Sequence, residues 1–422
     1  MPANVVQVFE HSCLEVDEEK FTTKHFNRLV LYNEKHGNTY FNVGHKRLHF
    51  KSYVGVIQVD GLTIEVLPKA DVGNDTIKWQ KALFLLLRET GYLSVSSLSN
   101  AMLRLRSSSL LELFLWQFLE GVDQLVHQGL VKRYRQNQDN QNALKGRLLF
   151  KEQIKRNLVH KERFFTEHQI YDRNHVLHQI IKKALVILSG VNAAHVRSNA
   201  LRLLYTFGDY TDIEVTDATF SKIRFNRKTQ PYEQVIQLSR LIILNYSPDL
   251  SSGGENILSI LFDMNQLFEK YVYRQLKKDE PLFDVNKLTV SGQASKEFWR
   301  SKTIRPDIVI QFKKDCEGIE CDKKVIVDTK WKVLSDHTPS DNDLKQMYAY
   351  NIHFGANHST LLYPQVHGIH KLHESYHPSD FYSDSHSCSL DFVDLVEHDG
   401  SLVKGIGRKV IESVAGLTPL VV

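Results

Sequence analysis

The sequence predicts an α+β chain of several domains: a β-rich N-terminal segment, a mainly helical middle, and a C-terminal α/β domain. Three observations predict this. Residues 1–73 carry strand-like alternation, clearest in SYVGVIQVDGLTIEVLPK, where Asp60-Gly61 has the composition of a tight hairpin turn and Pro68 closes the second strand. Residues 74–250 turn to helical spacing: DTIKWQKALFLLLRETG ends at Gly91 and SSSLLELFLWQFLEGVDQLVHQG ends at Gly129, each glycine suited to follow a helix. Residues 251–422 mix helices and short apolar strands. The boundary before them is YSPDLSSGGEN, where Pro, Asp, Ser and a Gly pair interrupt both patterns.

Within the last segment, ENILSILFDMNQLFEKYVYRQLKK has apolar residues at 257, 261, 264, 268, 272 and 276, which predicts one amphipathic helix. Strands are expected at about 286–291, 306–312 and 324–331. SDNDLKQMYAYNIHFG then reads as a helix capped near Ser340 or Asp341 and closed by Gly355, and STLLYP reads as a further strand.

Composition bounds the class. At 422 residues, 42% hydrophobic and 24% charged, the chain can bury a real core. Four cysteines, Cys13, Cys316, Cys321 and Cys388, are too few for a disulfide framework and suit a reducing compartment. The start, MPANVVQVFEHSC, lacks the basic and apolar regions of a signal peptide, so a cytoplasmic protein is expected. The most apolar stretch is broken by Glu112, Gln117, Glu120 and Asp123, so no membrane span is expected. The net charge is only +4, yet residues 131–164 hold ten Lys/Arg against three acids. That stretch can contact phosphates, dock on an acidic partner, or form a solvated face.

The chemistry concentrates in RPDIVIQFKKDCEGIECDKKVIVDTKWK, Arg305–Lys332. Asp307 abuts the apolar run Ile308-Val309-Ile310, and Asp328 with Lys330 closes the run Val325-Ile326-Val327. Residues two apart on a strand share a face, so Asp328 and Lys330 project together, away from Val327, Thr329 and Trp331. If the neighbouring strand brings Asp307 alongside, two carboxylates need a proton or a cation between them. Mg²⁺ fits, since it takes hard oxygen ligands, keeps waters and often holds a phosphate. With Lys330 steadying charge or orienting water, the set suits metal-assisted hydrolysis of a phosphodiester. Gln346 and Tyr350 lie four apart on the following helix, so Gln346 can reach the site with Tyr350 beneath it. Alone, Asp-x-Lys is a common strand ending; the full set is more specific.

Pro306-Asp307 … Asp328-Thr329-Lys330, followed by a Q-x-x-x-Y helix, resembles the PD-(D/E)xK nuclease superfamily. With VGVIQVDGLTIEVLPK, LKGRLLF and LFDMNQLFEKYV in the same order, the chain resembles the McrC family, nuclease subunits of methylcytosine-directed, type IV restriction systems. The resemblance covers about residues 50–355. It implies a C-terminal restriction-endonuclease-like domain and a Mg²⁺-dependent endonuclease acting on double-stranded, methylated DNA. It also implies a hetero-oligomer with McrB, an AAA+ GTPase. Asp307 and Asp328 would hold Mg²⁺ and Lys330 would be the catalytic lysine. Glu269, in LFEKYV, would add a ligand or a water contact; otherwise it is a solvated helix-face glutamate. The resemblance places partner docking in the N-terminal half, which favours docking for 131–164.

No G-x-x-x-x-G-K-[ST] occurs, and Gly253-Gly254 run into Glu255, so the chain is not itself the motor. No helix-turn-helix, zinc-finger or RNA-recognition signature is present. His367, His370, His373 and His377 do not have zinc-site spacing, and CEGIEC lacks a second ligand pair, so an ordinary turn is expected there. Two other readings stand beside the restriction nuclease: a non-cutting adaptor that stimulates the motor, and a stand-alone DNA-repair nuclease.

Overall fold

The structure is a computed structural model and describes residues 4–69, 73, 75–93, 109–191, 193–208, 210–247, 256–283, 288–316, 319–332, 334, 338–365, 372–377, 385–417 and 419. The chain divides into two compact units, Met1–Leu110 with Leu261–Val422, and Leu111–Ile260. The sequence suggested three consecutive segments, 1–73, 74–250 and 251–422. The structure instead gathers both ends of the chain into one unit, and residues 248–255 of the expected boundary lie outside the described residues.

In the first unit, Asn4–Phe9 runs parallel to Leu62–Leu67, which pairs antiparallel with Tyr53–Val59. The predicted turn closes that hairpin: Asp60 and Gly61 have φ of 46° and 78°, the double left-handed conformation that a two-residue turn on twisted strands requires. Asp60 is held there by ion pairs to Arg28 and Lys24 of the helix Thr23–Lys35. All six residues of Leu62–Leu67 are buried, Glu65 included. Its carboxylate is satisfied by the side-chain amides of Gln7 and Gln80 and the N–H of Leu110.

The expected single helix over 255–278 is corrected. Ile257–Asp263 is a strand and the helix is Met264–Asp279. ILSILFD is a short β-branched apolar run, and Asp263 ends it by capping the helix, accepting from Asn265 N–H at 2.9 Å. The strand's apolar residues at 257 and 261 fall on the same spacing as those of the helix, so periodicity alone does not separate the two.

A six-stranded mixed sheet carries the charged strand ends. Its order is Leu288–Gly292, Ile308–Cys316, Ile319–Thr329, His358–Pro364, Ser387–Val393 and Leu372–Ser375. The first three strands are antiparallel, and Ile319–Thr329, His358–Pro364 and Ser387–Val393 run parallel. A parallel step needs a crossover, and the helix Asp341–Phe354 makes the first one. Ser340 accepts from Asp343 N–H at its start, and Gly355 ends it at φ 67°. Met347, Tyr350 and Phe354 of this helix pack in one core with Val309, Ile326 and Leu361 of the sheet. On the opposite strand parity, Trp331 meets Phe268 of Met264–Asp279 at 5.4 Å between ring centroids. The sheet is therefore covered by helices on both faces.

The second unit combines helices, among them Val176–Ser189, Ala194–Phe207 and Glu233–Leu244, with a small antiparallel sheet. The basic stretch forms that sheet: Arg133–Gln141 and Arg147–Leu148 flank Phe164–Asp172, with the helix Phe150–Asn157 between. Part of its charge is paired, Arg135 with Asp172, Arg147 with Glu167 and Arg156 with Glu152. Phe150, Ile154 and Leu158, four apart, are 71%, 63% and 70% exposed. Among the described residues no helix is long and apolar enough to cross a membrane.

Candidate active site

The antiparallel register Ile308↔Val327 places Asp307 and Asp328 at the next opposed position, where side chains share a face. Strand parity aims Asp328 and Lys330 toward the helix Asp341–Phe354, and the backbone beyond the strand stays fixed because Lys330 N–H donates to Leu362 O at 2.9 Å. Asp307 is partly buried and locked: its Oδ2 accepts from both the N–H and the Oγ1–H of Thr329, each at 2.8 Å. Thr329 thus orients one carboxylate while its neighbours in sequence supply the other carboxylate and the lysine.

Asp328 is buried, and its Oδ2 lies 2.6 Å from Lys330 Nζ. This contact is a buried ion pair between the Lys330 ammonium and the Asp328 carboxylate. Burial first, and then the charge of Asp307, push the Asp328 carboxyl up to about 7 against the pull of Lys330. Burial acts on the Lys330 ammonium in the opposite sense, but Asp328 and Asp343 outweigh it and hold it above the usual lysine range. The two shifts belong to one ion pair, and the retained ammonium is the direction that the geometry supports, because three side-chain oxygens converge on Nζ. Besides Asp328 these are Gln346 Oε1 at 3.3 Å and Asp343 Oδ1 at 3.6 Å.

Gln346 continues a chain of contacts. Its Nε2 donates to Tyr350 Oη at 2.7 Å, and Tyr350 Oη–H donates to Arg305 O at 2.9 Å. Lys330 is therefore connected through Gln346 and Tyr350 to the backbone two residues before Asp307. Sequence reasoning missed Asp343. It binds Lys332 Nζ at 2.5 Å, and Lys332 and its own helix cap hold its carboxyl below the usual range in spite of burial. The signal was there: Asp343, Gln346 and Tyr350 recur at three and four, on one helical face.

Glu269 makes its hydrogen bond outside this cluster but lies close enough to feel the charge of Asp307. Its Oε1 accepts from Gln293 Nε2 at 2.8 Å, and burial and then the charge of Asp307 raise its carboxyl. Among the described residues no three His, Cys, Asp or Glu side chains are grouped to hold one ion. His367 and His370 lie outside the described residues, while the His373 ring meets that of His358 at 5.1 Å, tilted by 41°. Cys321 is in no disulfide among the described residues.

The family described as "McrBC 5-methylcytosine restriction system component" matches residues 48–364. The chain belongs to this family. It is an McrC-like subunit. It is 22% identical over 256 residues to the type IV methyl-directed restriction enzyme EcoKMcrBC of Escherichia coli strain K12, covering 59% of this chain and 71% of that protein. Its fold matches a chain in the half-complex from the tetradecameric assembly of Thermococcus gammatolerans McrB AAA+ hexamers with bound McrC. That match has a TM-score of 0.63 at 18% identity and covers 97% of this chain and all of the other. A second match, to the cryo-EM structure of the Thermococcus gammatolerans McrBC complex, has a TM-score of 0.48 over 65% of this chain and 88% of that chain.

Proposed function

We propose that this McrC-like chain is the DNA-cleaving subunit of a modification-dependent restriction system, a Mg²⁺-dependent endonuclease of PD-(D/E)xK type that works in the cytoplasm with an McrB-like AAA+ GTPase. The observation that carries the reading is the opposed pair Asp307 and Asp328 with Lys330 on the face of Asp328. The Thermococcus assembly, with McrC bound to AAA+ hexamers, supports the partner.

The donor set fits Mg²⁺: two carboxylates face one strand end, and among the described residues the buried Asp328 Oδ2 has no partner besides the Lys330 ammonium. Asp307 and Asp328 would hold the ion with waters completing its shell, and the part left for Glu269 is a water contact. When bound, the ion supplies Lewis acidity toward a phosphoryl oxygen and toward water. The protein does the positioning. Thr329 fixes Asp307, the Gln346–Tyr350 relay fixes Lys330, and the ammonium of Lys330 steadies the negative charge that builds on the phosphoryl oxygens. With its pKa held high, Lys330 is an electrostatic and orienting group rather than a base.

Docking to the motor is assigned to the second unit, where Phe150, Ile154 and Leu158 expose an apolar face amid the lysines and arginines of 131–164. The test is cleavage of methylated and unmethylated plasmid by this chain with its AAA+ partner, Mg²⁺ and GTP. Cutting of the methylated plasmid alone is expected. Equal cutting of both would remove the methylation target, and no cutting with nucleotide hydrolysis still stimulated would favour the adaptor. Cutting of DNA ends by this chain alone, without nucleotide, would favour the repair nuclease.

A further inference from the structure

The stretch KEFWRSKTIR folds as a two-stranded ribbon, Lys296–Trp299 against Lys302–Ile304, outside the six-stranded sheet. A free two-stranded ribbon is marginal in water. This one is tied down at one side by the helix that carries Gln346 and Tyr350. Lys296 Nζ donates to His353 O at 2.7 Å and lies over the Phe354 ring, and the Phe298 ring meets His353 at 5.1 Å. Its outgoing end is fixed by the Tyr350 bond to Arg305 O, and Asp307 follows two residues later. The pairing shifts between Glu297 and Trp299, and the tip turns through Arg300 at φ 50°.

What the ribbon presents is unusual for a free surface. Phe298 is 55% and Trp299 61% exposed, side by side in sequence. The guanidinium of Arg300 lies over the Trp299 ring at 5.0 Å. Residues 296–305 hold four Lys/Arg and one acid, and Arg300 and Lys302 make no ion pair among the described residues. Exposed aromatics interleaved with unpaired cations match a polyanion that also offers flat apolar faces. A two-stranded ribbon fits a duplex groove, and apolar side chains at such a tip wedge against base steps.

We infer that the ribbon 296–304 is a duplex-DNA-binding element, with Trp299 against a base step and Arg300 and Lys302 on the flanking phosphates, which sets the scissile phosphate at Asp307 and Asp328. This deepens the nuclease reading and rests on it for the identity of the phosphate. The relay from Arg305 through Tyr350 and Gln346 to Lys330 ties the base of the ribbon to the catalytic groups. Phosphate contacts made by the ribbon would then fix register, as contacts to the DNA backbone generally do.

The test uses the full chain assembled with its AAA+ partner, in a Lys330→Ala background that keeps the DNA intact. Trp299→p-benzoylphenylalanine is irradiated in the presence of a duplex bearing the preferred site. A covalent adduct with DNA is expected. An adduct with the AAA+ partner or with a second copy of this chain, or no adduct, overturns the inference. In parallel, Trp299→Ala should weaken duplex binding about tenfold, the loss of roughly one base–aromatic contact. Arg300→Gln with Lys302→Gln should lower the slope of log affinity against log salt by about 2. Both variants should melt as wild type does, because the changed side chains are exposed. Unchanged affinity in Trp299→Ala overturns the inference while cleavage by the wild type preserves the nuclease reading. A DNA adduct without any wild-type cleavage does the reverse.

Discussion

Trp331 donates its indole N–H to Glu10 Oε1 at 2.6 Å, joining positions 321 residues apart in the chain. Glu10 follows the first strand, and the same oxygen accepts from Lys69 N–H at 2.9 Å. Trp331 follows Lys330, so the end of the site-bearing strand is anchored beside the N-terminal hairpin. This bond, with the Trp331–Phe268 contact, gives a local reason why both ends of the chain belong to one unit.

Burial pushes the Glu10 carboxyl up to about 7, although its bonds to Lys69 and Trp331 oppose the shift. Its pKa is higher folded than unfolded, so its contribution to stability is fully present below about 4.5 and is lost as pH rises through about 7. Glu10→Gln keeps an acceptor for both donors and removes the buried charge. Its thermal stability at pH 8 should equal or exceed wild type, with a flatter dependence between pH 5 and 8. Glu10→Ala leaves the buried Trp331 N–H and the half-buried Lys69 N–H unmet and should cost about 1–3 kcal/mol at either pH. Equal pH slopes in wild type and Glu10→Gln would refute this assignment.

Mg²⁺ should stabilise the folded chain through Asp307 and Asp328. At ten times its Kd, an ion that binds only the folded state adds about 1.4 kcal/mol, a rise of a few degrees in Tm. Asp307→Asn and Asp328→Asn should each lose most of that rise, and chelation should remove it from the wild type. Calorimetric scans with and without Mg²⁺ decide it, and equal rises in all three proteins would contradict the assignment.

Tyr350→Phe removes the hydroxyl that joins Gln346 to Arg305 O. Tyr350 is a positioning residue, so cleavage should fall about 10–100-fold in kcat with KM for DNA little changed. Gln346→Ala should resemble it. A change confined to KM would place the relay in DNA binding instead.

In the second unit, His178 is buried and doubly bonded: its Nδ1–H donates to Arg173 O at 2.6 Å and its Nε2 accepts from Tyr232 Oη at 3.1 Å. Tyr232 Oη in turn accepts from Val131 N–H at 3.0 Å. The network is satisfied by a neutral ring, and burial lowers the imidazole pKa to about 4. The unfolded chain takes the proton first, so this contribution is complete above about 6.5 and is lost as pH falls toward 4, by at most about 3 kcal/mol. His178→Gln should flatten acid unfolding over that range. An unchanged slope by circular dichroism would show that another group titrates.

Local patterns made much of this legible. Asp60-Gly61 specified its turn because few residues accept two consecutive left-handed conformations. Ser340 and Gly355 bracketed their helix by capping chemistry. Asp328 and Lys330 shared a face because strand parity allows nothing else. Other features depended on tertiary partners. Ile257–Asp263 was hidden because its apolar spacing matched the next helix, and only Asp263 as a cap separates them. Glu10 and Trp331 gave no sign of each other, since no periodicity links residues so far apart. Asp343 was missed because acids are common in the first turn of a helix, and only the fold brings it to Lys330 and Lys332. The ribbon at 296–304 was too short and too charged to register as strands.

The most direct measurement is plasmid cleavage by the chain with its AAA+ partner, Mg²⁺ and GTP, comparing wild type with Lys330→Ala while nucleotide hydrolysis is followed in the same tubes. A loss of cleavage of about 10²–10³-fold or more, with hydrolysis unchanged, is the predicted result. Cleavage by Lys330→Ala at the wild-type rate would contradict the assignment of the site at Asp307, Asp328 and Lys330.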